Sequence, residues 1–381
     1  MQNKKLVMIP GPTPVVRSIQ NELGRETVAF GDPSFVADHK ILTDQLKEML
    51  GCSGEAFIIS GTGTLAMEAA VANSVKAGDS ILILSNGFFG DRFISLCRRK
   101  GLDVDIIQAE WGRAVTPAQL AEKLAKKHYA AVTVTHVDTS TGVCAPVAEL
   151  AKVVSQYPDT LMILDGVCAT GAEPEDMDKM GLDIVLTGSQ KAFGVPPGMA
   201  MIWAGPRALQ RRESLGEIPE YYCDFQLWLP VIHNPAKYFA TPAVNMVWAL
   251  KEGVRIMLEE GLENRYARHK KNALAMQSAL EALGFTILAH EECRAVTLSN
   301  LIYPAGIDDA AFRSVLAEEG VMVAGGLGPY AGKMFRLGHM GNIDTHDMVS
   351  AIAAIERAMY LVGYPLKLGS GVGALMEKLL G

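Results

Sequence analysis

The chain has 381 residues, 49% of them hydrophobic, and a formal net charge of −7. That length exceeds one small domain and allows a substantial core, so a large domain with a smaller one beside it is expected. The balance is mildly acidic, with no basic block and no aromatic–basic stripe, which leaves no electrostatic reason to expect nucleic acid.

The first ten residues, Met1-Gln2-Asn3-Lys4-Lys5-Leu6-Val7-Met8-Ile9-Pro10, carry charge and no long apolar run. Neither a signal peptide nor a membrane span is predicted, and a cytoplasmic location is expected. Six cysteines, at 52, 97, 144, 168, 223 and 293, are scattered without a C-x-x-C pair. This is neither a disulfide framework nor a zinc pattern, and buried reduced thiols are expected.

From about residue 55 to 205 the text alternates. Strands are predicted at 56–60, 80–84, 104–107, 130–135, 161–164, 184–186 and 199–203. Helices are predicted at 64–75, near 91–100, at 117–126 and at Val147–Val154. Short apolar runs separated by amphipathic helices read as parallel strands covered on both faces. Residues 206–240 look irregular and aromatic, and long helices follow at Val244–Glu260 and 263–283. Residues 285–364 mix strand and helix on a smaller scale and read as a second domain. The tail Gly369-Ser370-Gly371-Val372-Gly373 reads as a hinge before a short terminal helix.

Several residues stand at predicted strand ends, where ligands of such sheets bind. Lys191 follows the 184–186 run and precedes Gly194-Val195-Pro196-Pro197-Gly198, which cannot continue a helix. It is either a surface lysine at a strand exit or an amine placed for covalent chemistry. Asp165 ends the preceding strand; it either caps a turn or points into the ligand crevice. Strand, acid, crossover, strand, lysine is what an aldehyde cofactor with a basic ring nitrogen requires. Gly61-Thr62-Gly63-Thr64 follows a strand and opens a helix, so it reads as a phosphate loop or as a tight turn with Thr64 as N-cap. Phe89 could stack on a flat ring or simply fill the core. Arg336, in Phe335-Arg336-Leu337-Gly338, suits a bidentate carboxylate clamp or a surface ion pair.

Taken together these segments resemble the class V aminotransferases, fold-type I pyridoxal phosphate enzymes. They are most similar to the alanine–glyoxylate and serine–glyoxylate (serine–pyruvate) group. The resemblance runs from Pro10-Gly11-Pro12-Thr13-Pro14 through Ile59-Ser60-Gly61-Thr62-Gly63 and Thr135-His136-Val137-Asp138-Thr139-Ser140-Thr141-Gly142-Val143. It continues in Leu164-Asp165-Gly166-Val167 and Gly188-Ser189-Gln190-Lys191-Ala192 and ends at Gly325-Gly326-Leu327-Gly328-Pro329 and Arg336-Leu337-Gly338.

The resemblance implies an α/β fold, with a mostly parallel central sheet, helices on both faces and a smaller C-terminal α+β domain. It implies an N-terminal arm at 1–20, a large domain at 21–262 and a small domain at 263–381. It implies pyridoxal 5'-phosphate bound as a Schiff base to Lys191, with Asp165 on the ring nitrogen. Thr62, Gly63, Thr64 and Gln190 would hold the phosphate. Phe89 and Val167 would cover the two ring faces, and Thr139 the ring hydroxyl region. Arg336 and Gly11 would bind substrate. Tyr238 and Thr241 would reach the partner's phosphate in a homodimer with shared sites. Relatives often carry tryptophan and histidine where this chain has Phe89 and Thr64.

The function so implied is ping-pong transfer of an amino group from alanine or serine to glyoxylate or pyruvate. With one clamp, small monocarboxylate donors are favoured; Arg25 could add a second charge, and residues 30–33 could line the entrance. Ureidoglycine or aminoethylphosphonate donors are rivals on the same scaffold, as is a cysteine desulfurase or lyase using Cys293. From another class, the rival is a nucleotide-binding α/β protein without covalent chemistry. No metal ligand set is read, and roles for Tyr330, Lys333 and His339 are left open.

Overall fold

Seven strands make one sheet in the computed structural model, which describes residues 5–381. They are β1 (Glu55–Ser60), β2 (Ser80–Ser85), β3 (Asp103–Gln108), β4 (Ala131–Thr135), β5 (Leu161–Asp165), β6 (Ile184–Gly188) and β7 (Met199–Ala204). Their spatial order is β1-β7-β6-β5-β4-β2-β3. The pairs from β3 to β6 are parallel.

Successive side chains of a strand face opposite ways. Ile81 and Ile83 enter one apolar core, while Leu82 and Leu84 enter another. Ile163 and Met162 divide in the same way. With both faces buried, no polar alternation survives, and each strand reads as a continuous apolar run.

The sheet is mostly parallel, as expected, and the exception is β7, which runs against both β1 and β6. Only residues 189–198 separate β6 from β7. A parallel return needs a crossover of about a dozen residues or more. The stretch 206–240, expected to be irregular, contains helices at Pro206–Ser214 and Phe225–His233. Pro206 stands in the first turn of one, and Asp224 caps the other. Pro230 inside the second helix, among crowded aromatics, hides its periodicity.

The helices Val244–Glu260 and Leu262–Ala282 form as the sequence indicates. Beyond them a four-stranded antiparallel sheet joins Thr286–Ile287, Leu298–Ile302, Met334–Gly338 and Ala324–Gly325 in that order. A third core, with Phe285, Phe312, Phe335 and Ile355, lies beneath it. The expected hinge at 369–373 is instead the start of a helix, Ser370–Leu380. The Glu356 carboxylate accepts from the Gly369 (2.9 Å), Gly371 (2.5 Å) and Val372 (3.2 Å) amides. An anion on the first amides offsets glycine's poor helix propensity.

The first four residues of the expected arm lie outside the described residues. Leu6–Val7 pairs in parallel with Val321–Met322. From there the chain runs back toward Lys191. Among the described residues, no helix is long and apolar enough to cross a membrane.

Candidate active site

A cleft opens beyond the C-terminal ends of β4, β5 and β6, with Lys191 and Asp165 in its wall. Gln190, Thr62, Gly63, Thr64, Phe89, Thr139 and Val167 line it too. Lys191 is not on the strand but three residues past its end, in a loop fixed from several sides. Thr13 N–H donates to Gln190 O at 3.0 Å and Thr13 Oγ1 to Lys191 O at 2.8 Å. Gly194 N–H also donates to Lys191 O, at 2.9 Å. The fully buried Arg265 donates to Ala192 O at 2.5 Å and Gly171 O at 3.0 Å. The Lys191 amine itself donates to the Pro10 carbonyl.

Asp165 is the last residue of β5 and is 3% exposed. Its Oδ1 accepts from Val167 N–H at 3.0 Å, and its Oδ2 faces Thr135 Oγ1 at 3.4 Å. Burial pushes its carboxyl up to about 7, against the pull of the Val167 amide.

The helix Gly63–Ala72 starts at the cleft with Thr62 as N-cap, and among the described residues no side chain caps it. Its opening amides are therefore available to an anion. Thr64 lies in the first turn rather than at the cap. A Cβ on Gly63 would come 2.8 Å from Val167 Cγ2, so the bare backbone packs against Val167. The Gln190 amide oxygen is buried without a partner among the described residues.

Phe89 belongs to a helix that begins at Phe88, earlier than the sequence indicates. Its N-cap, Gly87, offers no side-chain oxygen. Asp138 and Ser140 supply the caps from a distant turn. Asp138 Oδ2 accepts from the Phe89 and Gly90 amides at 2.9 and 3.1 Å, and Ser140 Oγ from Phe88 N–H at 2.9 Å. Asp138 Oδ1 accepts from the Ser140 amide and hydroxyl at 2.9 and 2.6 Å. Sequence reading missed both residues; the signal was Asp-x-Ser beside an uncapped Asn-Gly helix start. It also missed Arg92, which lines the cleft, and the Pro10 carbonyl, which has no side-chain signature.

The remaining candidates lie outside the cleft wall. Gly11, at φ +120°, touches Lys191, since a Cβ there would lie 2.5 Å from Lys191 Cδ. Arg336 stands on the Met334–Gly338 strand and donates through Nε to Gly325 O at 2.7 Å. Among the described residues its terminal nitrogens have no partner. Opposite it, the buried Asn300 donates to Thr139 O at 3.3 Å, which ties the second sheet to the cleft. Tyr238 and Thr241 are exposed and lie 3.5 Å apart, away from the cleft, with the Tyr238 ring 5.4 Å from Phe30. Arg25 lies over the Trp248 ring. Cys293 is buried against Gly112 O at 3.3 Å, and burial raises its thiol pKa. The cysteine at the cleft is Cys168, pushed up to about 11 by burial, so it is no ready nucleophile.

Comparison with known proteins gives a consistent family. The Aminotransferase class-V profile matches residues 36–340. An L-aspartate–glyoxylate aminotransferase of Paracoccus denitrificans is 33% identical, with 99% of this chain and 96% of that protein covered. A serine–glyoxylate aminotransferase of Arabidopsis thaliana is 30% identical over 97% of this chain and 93% of its own. The crystal structure of a ureidoglycine–glyoxylate aminotransferase from Bacillus subtilis superposes with a TM-score of 0.96 at 27% identity, covering 100% of this chain and 99% of that one.

Proposed function

The chain belongs to the aminotransferase class-V family, and on that premise we propose that it uses pyridoxal 5'-phosphate to move an amino group from alanine or serine to glyoxylate or pyruvate. One observation carries the reading: a lysine amine, a buried carboxylate and an uncapped helix start share one cleft.

The residues fit that cofactor. Gly63 has no room for a side chain, so a phosphate would meet bare amides. Asp165, raised to about 7 by burial, lacks a full cationic partner. A protonated ring nitrogen would return it to the ionised form. Gln190 has an unused amide oxygen at the cleft. Thr62, Gly63, Thr64 and Gln190 would hold the phosphate, Phe89 and Val167 the ring faces, and Thr139 the ring hydroxyl. When bound, the cofactor supplies an aldehyde and an electron-withdrawing ring that stabilises negative charge at the substrate α-carbon.

The chain's own work is then positioning and proton transfer. Arg336 fixes the substrate carboxylate through its free terminal nitrogens. Lys191 Nζ would take the α-proton of the bound amino acid as general base and, as general acid, give it up at a different carbon, since return to the α-carbon would leave the amino group where it was. Asp165 holds its negative charge against the ring nitrogen. Gly11 leaves the lysine stem room to turn. One arginine clamp suits a monocarboxylate donor. Tyr238 and Thr241, exposed in the single chain, would complete a partner's site in a homodimer.

A half-reaction screen tests this. Alanine or serine should shift the visible absorption of the cofactor-loaded protein, and glyoxylate or pyruvate should restore it. Absence of any visible absorption in the loaded protein would overturn the reading. The close superposition on the ureidoglycine enzyme favours a second reading, a ureido amino acid as donor. The same screen separates the two.

A further inference from the structure

Arg92 is a cation without a counter-charge at the edge of the cleft. It follows Phe89 by three residues in the helix Phe88–Arg99, so both side chains leave one face. Its Nη1 donates to Thr64 Oγ1 at 2.8 Å, and its guanidinium carbon stands 4.8 Å from the Phe89 ring centre. Among the described residues no carboxylate pairs with it, and its other N–H groups have no hydrogen-bond partner.

The partner it does have is informative. Thr64 sits in the first turn of the uncapped helix Gly63–Ala72. A hydroxyl carries one proton and can also accept. Because Thr64 Oγ1 accepts from Arg92, its proton is left to donate elsewhere, and Thr64 lines the cleft. Arg92 therefore adds positive charge beside three free amides and turns the neighbouring hydroxyl into an oriented donor. Donors and charge converge on one place, as recognition of a dianionic phosphate requires. A substrate carboxylate already has a separate clamp, Arg336, on the second sheet.

We propose that Arg92 is a phosphate-anchoring residue of the cofactor site, acting by its own charge and by orienting the Thr64 hydroxyl. The inference rests on the cofactor reading above. It separates the affinity for the phosphate group from the affinity for the ring, which Asp165, Phe89 and Lys191 govern.

The test compares pyridoxal 5'-phosphate with pyridoxal, which lacks the phosphate. Dissociation constants are measured by absorbance on the full chain freed of cofactor, for the wild type, Arg92→Ala, Arg92→Lys and Thr64→Val. Arg92→Ala should weaken pyridoxal phosphate roughly ten- to a hundredfold and leave pyridoxal within about twofold. Arg92→Lys should fall between, and should hold even if the alanine variant folds poorly. Arg92→Ala and Thr64→Val combined should cost less than the product of the two. The wild-type affinity for the phosphate form should fall with added salt more steeply than that of Arg92→Ala. Equal weakening of both compounds, or no change in either, overturns the proposal. So does a rise confined to the KM of a dicarboxylate donor, which would assign Arg92 to substrate. If the wild type binds neither compound, the cofactor reading itself falls, and this proposal with it.

Discussion

The backbone N–H of Phe89 donates to Asp138 Oδ2 at 2.9 Å, so an aromatic ring at the cleft is positioned by a carboxylate 49 residues further on. Asp138 is wholly buried, and among the described residues its carboxylate meets donors only, from Phe89, Gly90 and Ser140. Its neighbour Thr139 lines the same cleft. One side chain thereby fixes two walls relative to each other.

Asp138→Asn should be costly despite its similar shape. One oxygen becomes an NH2 that faces N–H groups, and at least one buried donor is left unpaired. A loss of roughly 1–3 kcal/mol is expected, read as a lower urea midpoint with unchanged m.

Asp165 predicts a pH dependence of stability for the cofactor-free protein. Its folded pKa, about 7, lies above the ordinary aspartate value of 3.8. Between the two the folded state binds more protons than the unfolded, so stability falls as pH rises through that window. The slope is at most about 1.4 kcal/mol per pH unit. Urea titrations from pH 4 to 7 should show the decline, and Asp165→Asn should remove this part of it.

Lys191→Ala should abolish transamination and leave the fold intact; near-normal turnover would refute the assigned role. Gly11→Ala should impair turnover while Lys191 is present, because its Cβ would fall 2.5 Å from Lys191 Cδ. The positive φ adds roughly 1–3 kcal/mol of strain. A drop in kcat of about tenfold or more is expected, measured at saturating substrate.

Arg336→Ala should raise the KM of the amino donor roughly a hundredfold, the scale of lost charge-assisted hydrogen bonds. Affinity for pyridoxal phosphate should be unchanged. Arg336→Lys should recover little, because an ammonium cannot make the paired contact.

The strands were legible because burial on both faces makes them short apolar runs, and Lys191, Asp165 and residues 61–64 were legible because they punctuate those runs. What escaped the sequence was what depends on distant partners. The direction of β7 is set by the length of the preceding loop, not by Met199–Ala204 itself. The helix start at Phe88 is capped by Asp138 and Ser140, far along the chain. Glu356 converts a glycine-rich stretch into the start of a helix from 13 residues away. Arg92 carries no sequence signal, because an arginine in an amphipathic helix looks like any solvated one; its contacts with Thr64 and the Phe89 ring distinguish it.

The arm binds two late parts of the chain. Leu6–Val7 needs Val321–Met322, Met8 accepts from Gly338 N–H at 2.8 Å, and Pro10 accepts from Lys191. During synthesis this segment emerges long before the residues it pairs with. Lys191 therefore leaves the ribosome without its carbonyl acceptor held in place, and the lysine's surroundings are completed only once residue 338 is free to pair. A nascent chain stalled before residue 338 carries the sheet and the lysine, but its Leu6–Met8 segment still lacks its partners.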